Sequence, residues 1–302
     1  MRSKLYVLRG TTMQQSEKKY VLGVHCSISN GIENAPIIGA KLGCRAIQIF
    51  TGSNQRWESK DISSDQAKSF LSNMQQGNIQ IAFAHSTYLI NLASPEKDLL
   101  KKSIIAMMGE LKRADFLSLP FVVLHPGSHK ETSIAAGINR IAKSINIIFD
   151  KTPDFKSKIA LENTAGSGSS IGSRFEELAK IIELVENKDR VCVCFDTCHG
   201  FAAGYDIRDN KTYKTTWEEF DKIIGRKYLC AMHLNDSKGD LSSRLDRHVN
   251  IGEGKIGLKG FSNILNDPSL LTIPMVLETP KGKDAEANDK ENLEKLRKLI
   301  KT

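Results

Sequence analysis

The sequence predicts an α/β chain closed into a single (β/α)8 TIM barrel, and three observations predict it. Eight short apolar runs recur along the 302 residues, every 25 to 45 positions. Helical patterns separate most of them, which is the period of βα units. Seven of the eight runs end on His, Asp or Glu, and in a parallel barrel all strand ends open onto one face.

The runs, in order, are 20–25 (Y-V-L-G-V-H), 46–50 (A-I-Q-I-F), 79–85 (I-Q-I-A-F-A-H) and 121–125 (F-V-V-L-H). They continue with 158–162 (K-I-A-L-E), 191–196 (V-C-V-C-F-D), 229–233 (L-C-A-M-H) and 274–278 (P-M-V-L-E). Val, Ile, Leu and Phe dominate, as in strands covered on both faces. Between them, Ile134, Ile138, Ile141, Ile145 and Ile148 fall at helical spacing. Ser173-x-x-Glu176 reads as a capping box before E-E-L-A-K-I-I, and Thr216-x-x-Glu219 as another before a helix stopped by Gly225. Leu293, Leu296, Leu299 and Ile300 mark a closing amphipathic helix. A doubly wound open sheet is the structural alternative; no G-x-G-x-x-G follows the first run, which weakens dinucleotide binding.

At 40% hydrophobic residues, the chain can fill one large core. No apolar run approaches the roughly 20 residues of a membrane span. Residues 1–19 are polar and basic without the pattern of a secretory signal. They read as a flexible leader ahead of one domain, 20–302. The net charge of +8 fits a nucleic-acid partner, although a lysine-rich surface explains it equally well. Six cysteines form no CxxC pairs, which argues against a thiolate zinc finger. Cys192 and Cys194 alternate toward one face and read as buried free thiols. An intracellular, reducing compartment follows, whether cytoplasm, nucleoid or nucleus.

The run ends carry the chemistry. They are His25, His85, His125, Glu162, Asp196, His233 and Glu278; only the second run, ending on Phe50, lacks such a residue. All seven histidines lie at strand ends or in the loops that follow. One such histidine is ordinarily a hydrogen-bonded core residue. Six or seven converging with carboxylates call for cations, because unpaired buried carboxylates are costly. Imidazole plus carboxylate suits Zn(II), Mn(II) or Fe(II). His85, His125, Glu162, Asp196, His199, His233, Asp246, His248 and Glu278 make nine candidates, enough for three ions with one bridging carboxylate. In Asp246-Arg247-His248 the two ligands can face one ion while Arg247 faces away, toward a phosphate or solvent.

The motifs H-S-T-Y-L-I-N-L (85–92), L-H-P-G-S-H (124–129), L-E-N-T-A-G (161–166) and F-D-T-C-H-G-F-A-A-G-Y-D (195–206) belong together. So do M-H-L-N-D-S-K (232–238), S-R-L-D-R-H (243–248), I-G-E-G-K-I-G (251–257) and L-E-T-P (277–280). With V-H-C-S-I-S-N-G-I and F-T-G-S-N-Q-R-W, they resemble the endonuclease IV family of apurinic/apyrimidinic (AP) endonucleases from residue 24 to 280. The resemblance implies a TIM barrel with three zinc ions, and incision of duplex DNA 5′ to abasic sites. It implies His85, His125 and Glu162 on a first zinc, and Glu162, Asp196, His233 and Glu278 on a second. His199, Asp246 and His248 would take the third.

The resemblance also implies that Glu162 and Glu278 act in catalysis. Tyr88 and Leu89 would wedge into the duplex, and Arg56 would enter the base stack. Around Arg56 the chain departs from one familiar form: Gly52-Ser53 precedes N-Q-R, and Trp57 follows directly. Arg247 would meet a phosphate; His25 and His129 would support the ligands from outside or touch DNA. Mn or Fe could replace zinc in part, and a monomer suffices. Two rivals stay open: a divalent-metal sugar isomerase on the same barrel, and a non-catalytic damage binder.

Overall fold

The computed structural model describes residues 20–301; the leader reading of residues 1–19 lies outside the described residues. The eight apolar runs form parallel strands β1 (Leu22–His25), β2 (Ala46–Phe50), β3 (Ile81–His85) and β4 (Phe121–Leu124). β5 (Lys158–Glu162), β6 (Val191–Asp196), β7 (Leu229–His233) and β8 (Met275–Leu277) complete the set. Neighbours pair in sequence order, and β8 returns to β1 through Leu22↔Met275, closing the barrel. The open-sheet alternative is thereby removed. β1 and β3 start two residues later than the patterns predict, and His125 and Glu278 each sit one residue past their strand.

Strand parity sorts the residues into two layers. Ala46, Phe83, Phe121, Val123, Ala160, Cys192, Cys194, Ala231 and Val276 fill the barrel interior. Alternate residues such as Ile47, Ile49, Val122, Leu161 and Val193 pack outward against the helices. Cys192 and Cys194 therefore share the inward face, and all six cysteines are free thiols.

The helices are α1 (Ala35–Lys41), α2 (Ser64–Gln76), α3 (Lys97–Phe116) and α4 (Ile134–Lys151). They continue with α5 (Phe175–Leu184), α6 (Thr197–Ala203), α7 (Asn210–Ile223), α8 (Gly257–Leu265) and α9 (Ala285–Lys298). On α4, Ile138, Ile141, Ile145 and Ile148 are buried, each contributing about 1.5–3 kcal/mol by leaving water. No described helix is long and apolar enough to cross a membrane.

Both predicted capping boxes are corrected. The N-cap of α5 is Arg174, without a side-chain cap bond. The Tyr205 hydroxyl accepts from Phe175 N at 2.9 Å, and Glu177 accepts from the Gly172 and Ser173 amides. A tertiary partner thus replaces the local box. Thr216 lies inside α7, which starts six residues earlier behind a box formed by Asp209 and Thr212. The Thr216 hydroxyl instead donates to Asp206 O at 2.9 Å.

Candidate metal centre at the barrel mouth

The inward parity that fills the barrel with apolar side chains delivers polar ones at its C-terminal rim. Glu162, Asp196 and His233 are fully buried, and His85 and His199 nearly so. Glu162 is the hub. Its Oε2 lies 3.0 Å from His125 Nε2 and 3.3 Å from His85 Nε2. Its Oε1 lies 3.0 Å from His233 Nδ1 and 3.2 Å from His199 Nδ1. Glu278 Oε2 is 3.2 Å from His233 Nδ1. Asp196 Oδ2 stands 3.7 Å from both His233 Nδ1 and His248 Nε2.

Three groups of converging ligand atoms result: His85, His125 and Glu162; Glu162, Asp196, His233 and Glu278; and Asp196, His199 and His248. Asp246 joins the third group through Oδ1, 3.1 Å from His199 Nε2 and 3.7 Å from His248 Nε2. All nine predicted ligands therefore meet at one place. A two-residue ribbon, Asp236–Ser237 against His248–Val249, carries the Asp246 loop inward while Arg247 stays exposed. The Asp236 carboxylate anchors this ribbon by accepting from the amides of Gly252, Gly254 and Ile256. A Cβ on Gly254 would fall 2.4 Å from Asp236 Oδ1, so this approach requires glycine.

The donor set fits cations, and the outer hydrogen bonds of the histidines carry the argument. His85 Nδ1 faces Ser86 O at 2.7 Å, His199 Nδ1 faces Asn163 O at 2.9 Å, and His248 Nδ1 faces Glu278 O at 3.2 Å. A carbonyl accepts only, so each Nδ1 carries hydrogen and donates. Each Nε2 then presents a lone pair toward carboxylate oxygens. His248 Nε2 is buried with no hydrogen-bond partner. Lone pair facing carboxylate is repulsive unless a cation or a proton lies between them.

Protonation responds accordingly. Burial opposes the Glu162 charge, but His233, His125 and His199 outweigh it and hold the carboxyl well below its ordinary range. Burial also opposes imidazolium at His199, yet Asp196, Asp246 and Glu162 raise it well above its ordinary value. His233 is raised likewise against burial, by Cys194, Glu278 and Glu162. Without a cation His199 and His233 hold protons against the carboxylates; a metal would displace them.

The remaining predicted residues spread around this floor. His25 Nδ1 lies 3.6 Å from Glu278 Oε1, outside the ligand groups. His129 stands apart: its Nδ1 is buried without a partner, and its ring bonds to none of the nine. Tyr88 is 61% exposed, and its ring stands 5.4 Å from that of His85. Tyr88 and Leu89 border a cleft of about 490 Å³ with Trp57, Ser128, His199 and Asp246. Arg56 is exposed on a separate groove of about 800 Å³, beside His25, Phe50 and Lys281. The Thr87 hydroxyl ties the two loops together by donating to Asn54 O at 2.7 Å.

Three buried amides were not anticipated. Asn163 accepts from Asp196 N at 2.7 Å, Asn235 donates to Asp196 Oδ2 at 2.6 Å, and Gln48 lies under His233 and Glu278. Asn163 and Asn235 each follow a strand end within two residues, a position that could have flagged them. Gln48 is a lone polar residue in an apolar strand.

Comparison with known proteins decides the family. Residues 38–299 match the model of the xylose isomerase-like TIM barrel family. A probable endonuclease 4 of Chloroflexus aggregans is 44% identical over 279 residues, covering 92% of this chain and 97% of that protein. The crystal structure of endonuclease IV from Thermus thermophilus superposes with a TM-score of 0.81 at 33% identity, over 92% of this chain and 98% of that one.

The chain belongs to the endonuclease IV family. It is an enzyme of that family, an endonuclease. The sugar-isomerase alternative is the less supported. A D-psicose 3-epimerase of Clostridium cellulolyticum shares 16% identity and a TM-score of 0.61, over 92% of this chain and 94% of that one. That likeness shows the barrel alone.

Proposed function

We propose that this endonuclease acts in DNA repair. It hydrolyses the phosphodiester on the 5′ side of AP sites in duplex DNA, leaving 3′-hydroxyl and 5′-deoxyribose phosphate ends. The observation that carries the reading is the nest of three ligand groups sharing Glu162 and Asp196, with lone pairs aimed at one centre. Three zinc ions fit it, with Mn or Fe as partial substitutes. His85, His125 and Glu162 would hold the first. Glu162, Asp196, His233 and Glu278 would hold the second, and His199, Asp246 and His248 the third. Asp196 Oδ2, 3.7 Å from both His233 Nδ1 and His248 Nε2, lies between the second and third ligand groups.

When bound, the ions would supply a water of low pKa and neutralise charge on the phosphate. The chain's own residues do the rest. Glu162, with Oε2 beside His125 and Oε1 beside His233, would belong to the ligand sets of both the first and the second ion. Glu278, less buried than Glu162, would take the water's proton at a carboxylate oxygen. Tyr88 and Leu89 would enter the duplex as a wedge, and the adjacent cleft would receive the extruded sugar. A nucleotide without its base loses stacking and pairing, so extruding it costs less. Arg247 and Arg56 would meet the backbone and the base stack, and His25 would support Glu278. His129 lacks any bond to the centre, so its role would lie in the P-G-S-H turn or on DNA.

One chain supplies all nine proposed ligands, eight in the three groups and Asp246 beside His199, which supports action as a monomer. Six free thiols support a reducing compartment. The deciding experiment uses a 5′-labelled duplex containing one tetrahydrofuran abasic analogue, which blocks β-elimination. Cleavage immediately 5′ to the analogue, abolished by chelation and restored by zinc, is the expected outcome. An intact duplex with folded, metal-replete protein refutes the reading and makes sugar phosphates the next substrates to try.

A further inference from the structure

β2 is the one strand whose end carries no metal-type side chain, yet it reaches the centre through Gln48. Inward parity places this residue below the rim, where it is fully buried. Its Nε2 lies 2.8 Å from His25 Nδ1 and donates to Glu278 Oε1; its Oε1 lies 2.8 Å from His233 Nε2. The amide has only one workable orientation. Rotated, its carbonyl would face the Glu278 carboxylate, acceptor against acceptor. In the observed orientation Nε2–H donates to both His25 and Glu278. His233 must then carry its hydrogen on Nε2 and donate to Gln48 Oε1. Its Nδ1 lone pair is left toward Glu162 Oε1 at 3.0 Å and Glu278 Oε2 at 3.2 Å.

The other fixed histidines take their tautomers from the backbone carbonyls of Ser86, Asn163 and Glu278. Among these ligand histidines His233 alone takes it from a side chain, so its setting can be changed by substitution. A second consequence is electrostatic. Glu278 receives a neutral donor at Oε1, which holds Oε2 toward His233 without adding charge to the centre.

We infer that Gln48 is a positioning residue: it fixes the His233 tautomer, aims Glu278, and thereby sets the metal affinity of the Glu162, Asp196, His233 and Glu278 group. The inference rests on the metal-dependent reading above. Partners of this kind are worth about 10- to 100-fold in metal affinity.

The test titrates zinc into metal-stripped wild type, Gln48→Met and Gln48→Glu against a chromophoric chelator. Imidazole ¹⁵N shifts report the His233 tautomer. Met preserves volume but neither accepts from His233 nor donates to Glu278. Glu keeps the acceptor for His233 and loses the donor. In Gln48→Met, one zinc step should weaken about 10- to 100-fold, the others should hold, and the His233 shifts should change. On the abasic duplex kcat should fall with KM within about twofold, as expected for a residue below the floor. In Gln48→Glu the tautomer should persist while the same zinc step weakens. Wild-type zinc steps and unchanged His233 shifts in folded Gln48→Met would overturn the inference. Misfolding of both variants would also overturn it, by assigning Gln48 to core packing. Wild-type protein that binds zinc but leaves the duplex intact would refute the proposed function, while the zinc titrations still decide Gln48.

Discussion

The floor of the barrel mouth and its rim are built in opposite ways. On the floor, Glu162, Asp196 and His233 expose nothing to water, and every ligand atom has a fixed partner or faces the centre. On the rim, Tyr88 exposes 61% of its surface, and Arg56 and Arg247 stand in solvent. Strands place the floor residues, so a shift of one residue would turn them into the helix layer. Loops place the rim residues, tied by single hydrogen bonds such as Thr87 to Asn54. Substitutions on the floor should therefore change chemistry and metal content. Those on the rim should change DNA affinity and leave metals in place.

Glu162→Gln should give the largest effect. It removes the charge shared by two ligand groups and strands several imidazoles. The loss is about 4 kcal/mol, roughly a thousandfold in cleavage. Gel-shift affinity for the abasic duplex should hold within a few-fold. Near-wild-type turnover would break the comparison at its centre.

Metal removal comes next, with a defined pH dependence. His199 and His233 are raised well above 6.5, their ordinary value. In the metal-free protein the stability associated with their protons is fully present below that value and is lost as pH rises through the folded values. Glu162 and Glu278 are lowered well below 4.5, so their contribution is present above it and lost as pH falls through the folded values. Zinc must displace the imidazolium protons. Its affinity should rise with pH, roughly tenfold per pH unit for each proton displaced, until the raised values are passed. Competition titrations at several pH values measure this; a pH-independent affinity would contradict the proton balance of the floor.

On the rim, Tyr88→Ala should weaken binding to the abasic duplex by about 1–3 kcal/mol, roughly 5- to 150-fold, the range of one stacking aromatic. Zinc content should match wild type. Arg247→Ala should give the smallest effect, several-fold in affinity, with the slope of log affinity against log salt reduced by about one. A loss of bound metal in Arg247→Ala would blur the boundary, because Asp246 and His248 flank it.

The floor was the more legible region for a physical reason. A side chain at the end of a buried strand has its direction set by parity, so His85, Glu162, Asp196 and His233 could be read as convergent from spacing alone. Gln48 escaped because an amide is not a typical metal ligand and it sits two residues before the end of β2. The capping errors have another cause. Ser173 and Thr216 satisfy a local pattern, but Tyr205 and Asp206 reach in from outside the two helices, and Glu177 in the first turn of α5 takes the Gly172 and Ser173 amides. Rim geometry was the least legible. The separation of Arg56 from the Tyr88 cleft depends on how two loops fold over α2 and α3.

By itself, the sequence determined the barrel and the strand-end side chains that meet in it. Periodicity, parity and residue chemistry are local properties that survive any choice of loop path. Tertiary structure decided which nitrogen of each histidine faces inward. It also decided that Asp196 lies between two ligand groups and that Gln48 supports His233. These depend on carbonyls and amides brought together from strands far apart in the chain, and only the closed sheet fixes those distances.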